Sequence, residues 1–405
     1  MKKYWKLIFL IMFVLLTIGS FYVKANTLSK HFPAFVFETI EGEERAIEDL
    51  IVNGDLFRGM STYESFQVSH EGTSYFRDEP FAKRLKGYYP DTYIAELQKQ
   101  YKSFMRGKAE DSSLYYEDGN ILAYGATPYD IWTFDNYRFD IAVLDKQTNE
   151  TISFSLPIPN RGEYWHVEPH GVFVDGSELS IITVNEIMGN DMTENTASAH
   201  IYSFDIEKEE LIDEQTIGNL DYSMMEHGHN DIRILVEQEN ILIAEQHFRY
   251  IDYPEQSDYY GETVTTNKLI AYNWKTKAEE EISLPNEAEI GMPIAIKDGV
   301  IYFANIEGKK LKVISYNGGE KSISGEREVE LINNNVSGSD IAQSPVENGK
   351  FYFVPSPQDL EQLTSITVID LDSLTVDYHG KVEASHAPRQ NETAEMHFYY
   401  PELKN

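Results

Sequence analysis

Four of the chain's eleven histidines stand in two short stretches, WHVEPHG at 165–171 and MEHGHND at 225–231. Both stretches interleave imidazoles with acids. In an extended strand, residues at i, i+2 and i+4 share a side. That spacing lets His166, Glu168 and His170 project together, and likewise His227, His229 and Asp231. Pro169 weakens the first triplet by opposing full extension. A ring of imidazole and carboxylate suits a borderline divalent cation such as zinc, manganese or nickel, with His166, His170, His227 and His229 as ligands. The same groups could hold a cationic or sugar ligand, or form a proton-transfer pair. The plainer alternative is that they cap turns by hydrogen bonding to backbone and neighbouring acids.

Other catalytic patterns are missing. The chain has no HExxH, GxSxG, GxxxxGK[ST] or GxGxxG string, and without cysteine it has no thiolate nucleophile, disulfide or thiolate zinc site. Paired carboxylates for glycoside cleavage need only a separation in space, so 67 acids in sequence neither support nor exclude them. His247 in AEQHF reads as a packed histidine.

The elements that must position these residues show themselves as a repeat. An apolar strand, an acidic or Asn-Gly corner and a second apolar strand recur at 113–126, 171–184, 233–246, 293–306 and 344–357. Asp-Gly and Asn-Gly are strong hairpin signals because tight turns favour positive φ. Each corner leads into a second hairpin, whose first strand runs into an Asp or Asn and whose last strand reads as more exposed, as in FDIAVLDKQTNETISFSL. Four strands per unit, repeated five times over residues 113–384, resemble the blades of β-propeller repeat proteins in pattern, without any specific blade motif. The resemblance implies an all-β propeller, in which WHVEPHG and MEHGHND open the innermost strands of two neighbouring blades at one channel mouth. Glu110 and Asp111, Glu287 and Glu289, and Asp340 stand at comparable openings.

The remaining pieces must close the ring. Residues 35–52 and 65–76 read as hairpins, and 396–400 as one more strand. This count allows six or seven blades, with seven favoured. An amphipathic stretch at 90–107 predicts one inserted helix, capped by Asp91 or Thr92, lying against a face of the disc. Two long connections, 187–199 and the tyrosine-rich 249–266, are further ligand candidates; NDMTEN in the first lacks the spaced carboxylates of a calcium loop.

Residues 1–26 read as a signal peptide or membrane anchor: Lys2, Lys3 and Lys6 precede an uncharged run from Leu7 to Val23. Residues 27–405 then form a single exported domain, anchored at the outer face of the membrane or secreted. The absence of cysteine fits the exported proteins of a Gram-positive bacterium. A net charge of −33 repels phosphate backbones and speaks against nucleic acid as a partner. The expected function is a binding or scaffold module for a protein or small ligand, tethered to the membrane by its N-terminal segment. The alternative is an exported hydrolase or lyase acting on carbohydrate or cell-wall polymer.

Overall fold

A computed structural model describes residues 33–58, 62–80, 84, 89, 91–128, 137–187, 196–221, 224–225, 228–237, 239–252, 260–284, 290–332, 336–356, 364–385 and 394–404, with scattered positions among the first 19. These residues form six antiparallel sheets, each of four or five strands. Blade 2 holds Tyr115–Glu117, Ile121–Ala126, Arg138–Asp145 and Thr151–Pro157. Blade 3 holds His166–Asp175, Glu178–Ile187, Thr196–Asp205 and Glu210–Asp221. Blade 4 holds Gly228–Glu237, Asn240–Asp252, Tyr260–Asn273 and Ala278–Glu281, with a two-residue strand, Met224–Met225, at its inner edge. Blade 5 holds Met292–Lys297, Val300–Glu307, Lys310–Asn317 and Ser322–Glu330.

The two remaining sheets tie the chain ends together. In blade 6, Val346–Glu347, Lys350–Phe353, Thr364–Asp370 and Thr375–Ala384 gain the N-terminal strand Phe35–Gly42 at the outer edge. In blade 1, the C-terminal strand Ala394–Leu403 lies inside Leu50–Arg58, Thr62–Ser69 and Gly72–Tyr75. Each terminus thus completes a sheet begun at the other end, which ties the ring shut. The favoured count of seven has no seventh sheet among the described residues; the smaller count of six matches them. The reason lies in residues 35–52. They do not pair with each other, because the 3-10 turn Glu44–Ile47 carries the chain from blade 6 to blade 1.

Apolar side chains between adjacent sheets hold the ring. Phe139 and Ile141 of blade 2 meet Ile181 and Tyr202 of blade 3. Ile182 and Val184 of blade 3 meet Ile241 and Tyr272 of blade 4. Comparable clusters join blades 4 and 5, 5 and 6, and 6 and 1. Between blades 1 and 2 stands the inserted helix, Thr92–Gln100. Its Thr92 Oγ1 donates to Leu403 O of blade 1 at 3.1 Å. Ile94 and Leu97 are buried against Leu122, Tyr124 and Leu144 of blade 2. Asp91 caps it, accepting from Ile94 N at 3.0 Å, and it ends at Gln100, earlier than the pattern predicts. Phe104 and Met105 join the same cluster from the turns beyond it.

The second hairpins share one device. Asp145, Asp205, Asn273, Asn317 and Asp370 each end a third strand, and each side chain accepts from backbone N–H groups two or three residues on. Four positions after each stands a residue at positive φ: Asn149, Glu209, Lys277, Lys321 and Leu374. The side-chain oxygen replaces a turn hydrogen bond, and the left-handed residue returns the chain into the fourth strand. Those fourth strands are the exposed ones, as in Ala278–Glu281. The first strands therefore face the axis.

Candidate functional site

The axis is hollow. A cavity of about 1130 Å³ is lined by the first strands of blades 1, 4, 5 and 6 and by the segments 91–93 and 110–112. Its lining reaches the last residues of those strands, among them Glu237, Glu347 and Leu403. The lining carries six acidic residues, Asp91, Glu110, Asp111, Glu237, Glu347 and Glu402, against one basic residue, Arg233. Burial raises the carboxyl pKa of Glu237 and of Glu347, with the charge of Asp49 adding to the effect at Glu347. Burial also pushes Glu402 up to about 7, opposed by donors that include Thr92 N at 3.1 Å and Asn53 Nδ2 at 2.7 Å.

Arg233 reaches out of blade 4 and donates from Nη1 to Ala342 O at 3.1 Å, in the short helix that precedes blade 6. Its Nε is buried without a hydrogen-bond partner. No carboxylate lies within ion-pair distance of it among the described residues. Burial pushes its pKa down to about 10, against the charge of Asp231. The residue is enclosed by protein yet keeps part of its surface open. Both follow from facing an internal cavity.

His166, Glu168 and His170 lie near the start of the first strand of blade 4, where the charge of Asp231 reaches His170. His166 is the first residue of its strand and Glu237 the last of its own. His166 Nδ1 lies 2.9 Å from the Tyr137 hydroxyl, and Arg161 stacks on that ring at 4.0 Å. Glu168 stands between the two histidines, 3.8 Å from His166 Nε2 and 3.9 Å from His170 Nε2. The strand is not regular here. Ile182 pairs with Gly171 and Thr183 with Pro169, so His170 is the extra residue of a bulge, a device that re-aims a side chain. Burial lowers the His170 pKa, opposed by the charges of Glu168, Asp231 and Asp111. Glu186 nearby is raised by burial, with His166 opposing.

His166, Glu168, His170 and Asp231 thus lie close together, from two neighbouring blades. His227 lies outside the described residues. For His229 the backbone is described, paired with Met224 and Phe248. Among the described residues no group of three or more His, Asp or Glu is arranged to hold a metal ion. Of the other openings, Asp340 is structural: it accepts from Ser337 N at 2.8 Å and Ser356 N at 3.0 Å. Glu110 accepts from Gln98, and Asp111 caps the turn at Ser113 while its charge reaches His170. Glu287 and Glu289, and the central parts of the 187–199 and 249–266 connections, lie outside the described residues. So does most of the N-terminal segment; among the described residues no helix is long and apolar enough to cross a membrane. His247 faces Thr265 in mid-sheet, and among the described side chains the most buried histidine is His200, hydrogen-bonded to Ser198 Oγ at 2.8 Å.

Sequence reasoning passed over Arg233 and Glu402. Arg233 follows His229 and Asp231 at the same two-residue step, so the alternation that selected them also reached it. Glu402 had no such signal, because its cavity depends on a helix from 310 residues away.

No family model matches the chain, and no curated protein matches it. Solved structures similar to it include a europium-containing methanol dehydrogenase (6% identity, 86% of this chain and 81% of that one, TM-score 0.33). Others are an α-L-arabinofuranosidase from Fusarium graminearum (9%, 88% and 98%, TM-score 0.29) and the WD40 domain of SCAP from fission yeast (9%, 70% and 82%, TM-score 0.24). At these values the propeller fold rests on the six sheets themselves, and none of these activities transfers.

Proposed function

We propose that this chain is an extracytoplasmic, membrane-tethered propeller that acts as a binding module, with the central channel as its ligand site. The tether rests on Lys2, Lys3 and Lys6 before the apolar run from Leu7 to Val23. The binding role rests on one observation: a cavity of about 1130 Å³ with a lone arginine among carboxylates. Ligand pockets are commonly about 300–1,000 Å³, apolar walls bearing a few polar groups, so this space is ample for a small molecule or chain end. Thermal melts of the full-length chain against small peptides, amines and sugars test it, since a ligand of the folded state raises the midpoint. One class should raise it, and Val236→Trp, at a half-open lining position, should abolish the shift. No shift from any class, or shifts untouched by Val236→Trp, would contradict the reading.

A second reading, an exported hydrolase or lyase on carbohydrate or wall polymer, draws on Glu402, a carboxyl raised to about 7 in a cavity rich in carboxylates. Against it, both Glu402 oxygens already accept structural hydrogen bonds. Release of reducing sugar from wall polymer, lost in Glu402→Gln, would support it; no release would remove it.

A further inference from the structure

We infer that the channel recognises a zwitterion of short-peptide length, with its carboxylate on Arg233 and its ammonium among the acids at the far end of the cavity. The inference rests on the channel-binding proposal and names the ligand's chemistry. Arg233 carries five N–H donors in a planar fork. One bond to Ala342 O is made, Nε has no partner, and no carboxylate of the described residues is close enough to pair. A guanidinium buried in this way costs free energy until an acceptor arrives, and its fork matches a carboxylate's two oxygens.

The surroundings decide which acceptor. Six acidic residues line the same cavity, so a phosphate ester or other polyanion would meet net repulsion along its whole length. A ligand with one negative end and one positive end escapes this. Its carboxylate meets the lone cation, and its ammonium meets Glu237 or Glu347.

Strand geometry sets the length. Arg233 and Glu237 lie four residues apart on one strand, so their Cα atoms are about 13 Å apart. Side chains on one face of a strand run roughly parallel, so the charged ends lie about as far apart as the Cα atoms, a gap that a tripeptide spans with a hydrogen bond at each end. An extended tripeptide spans at most about 10–11 Å. A free amino acid is too short to touch both ends.

Calorimetric titration of the full-length chain with trialanine, trialanine amide and N-acetyl-trialanine tests this. Trialanine should bind about tenfold or more tightly than either capped form. Arg233→Gln should weaken trialanine about 10- to 100-fold, the loss expected for a charge-assisted hydrogen-bond pair, and leave the amide unchanged. Arg233→Lys, which keeps the charge without the fork, should fall between. The inference is overturned if no member binds, if acid and amide bind equally, or if Arg233→Gln binds trialanine as the parent does. Equal binding of acid and amide that Val236→Trp blocks would leave channel binding standing without this specificity. Binding that Val236→Trp does not affect would remove both.

Discussion

The Glu402 carboxylate accepts a 3.1 Å hydrogen bond from Thr92 N, joining the C-terminal strand of blade 1 to the first turn of the inserted helix. Its other oxygen accepts from Asn53 Nδ2 at 2.7 Å. One side chain thus fastens the last strand, its sheet neighbour and the helix that stands between blades 1 and 2. The helix N-terminus favours a carboxylate there, but burial is the larger influence and keeps the proton on.

The pH dependence follows from that balance. Burial raises the Glu402 pKa to about 7 in the folded chain against 4.5 for a free glutamate carboxyl, so between those values the folded state binds more protons. Stability therefore falls as pH rises from 4.5 through 7. With part of the group open to solvent, the loss should be about 1–2 kcal/mol. Urea unfolding at pH 5 and pH 8 should show that Glu402→Gln removes this increment of the slope; an identical slope in parent and variant would contradict it.

His200 works in the opposite direction. Burial pushes its pKa down to about 4 from 6.5, so below 6.5 the unfolded state takes up a proton that the folded state refuses. Stability is lost as pH falls from 6.5 to 4, by about 3 kcal/mol. In His200→Gln the acid-unfolding midpoint should move to lower pH, measured by circular dichroism.

Ring closure depends on Gly42, which pairs with Tyr378 at the outer edge of blade 6. Its φ is +93°, and an added Cβ would lie 2.2 Å from Asp377 O, a backbone atom that cannot swing aside. Gly42→Ala should cost about 2–4 kcal/mol in urea unfolding and expose the N-terminal strand to proteolysis.

The outer hairpin turns predict a gain. Glu209 sits at φ 56° on the exposed turn of blade 3, where glycine carries no Cβ penalty. Glu209→Gly should raise stability by about 0.5–1 kcal/mol, seen as a higher melting midpoint.

What the sequence made legible was local. Asp145, Asn273 and Asp370 announce their turns because the side chain that marks the turn also makes its hydrogen bonds. Residues 35–52 read as one hairpin because alternation shows that two strands exist, not that they pair with each other. The His166 and Asp231 stretches were singled out by spacing, and the described part of that set, His166, Glu168, His170 and Asp231, lies close enough for the charges to act on one another. The bulge at His170 was foreshadowed only by Pro169. Glu237, Glu347 and Glu402 were not legible as one set with Glu110 and Asp111, since the cavity's acids come from three blades, a helix cap and a turn, and no spacing connects them.

The most direct measurement is the structure of the full-length chain with trialanine bound. Channel recognition predicts the peptide lying along the first strand of blade 4, its carboxylate about 2.7–2.9 Å from the Arg233 guanidinium nitrogens and its ammonium toward Glu237. A peptide seated on the outer rim, or one with its ammonium end at Arg233, would contradict it.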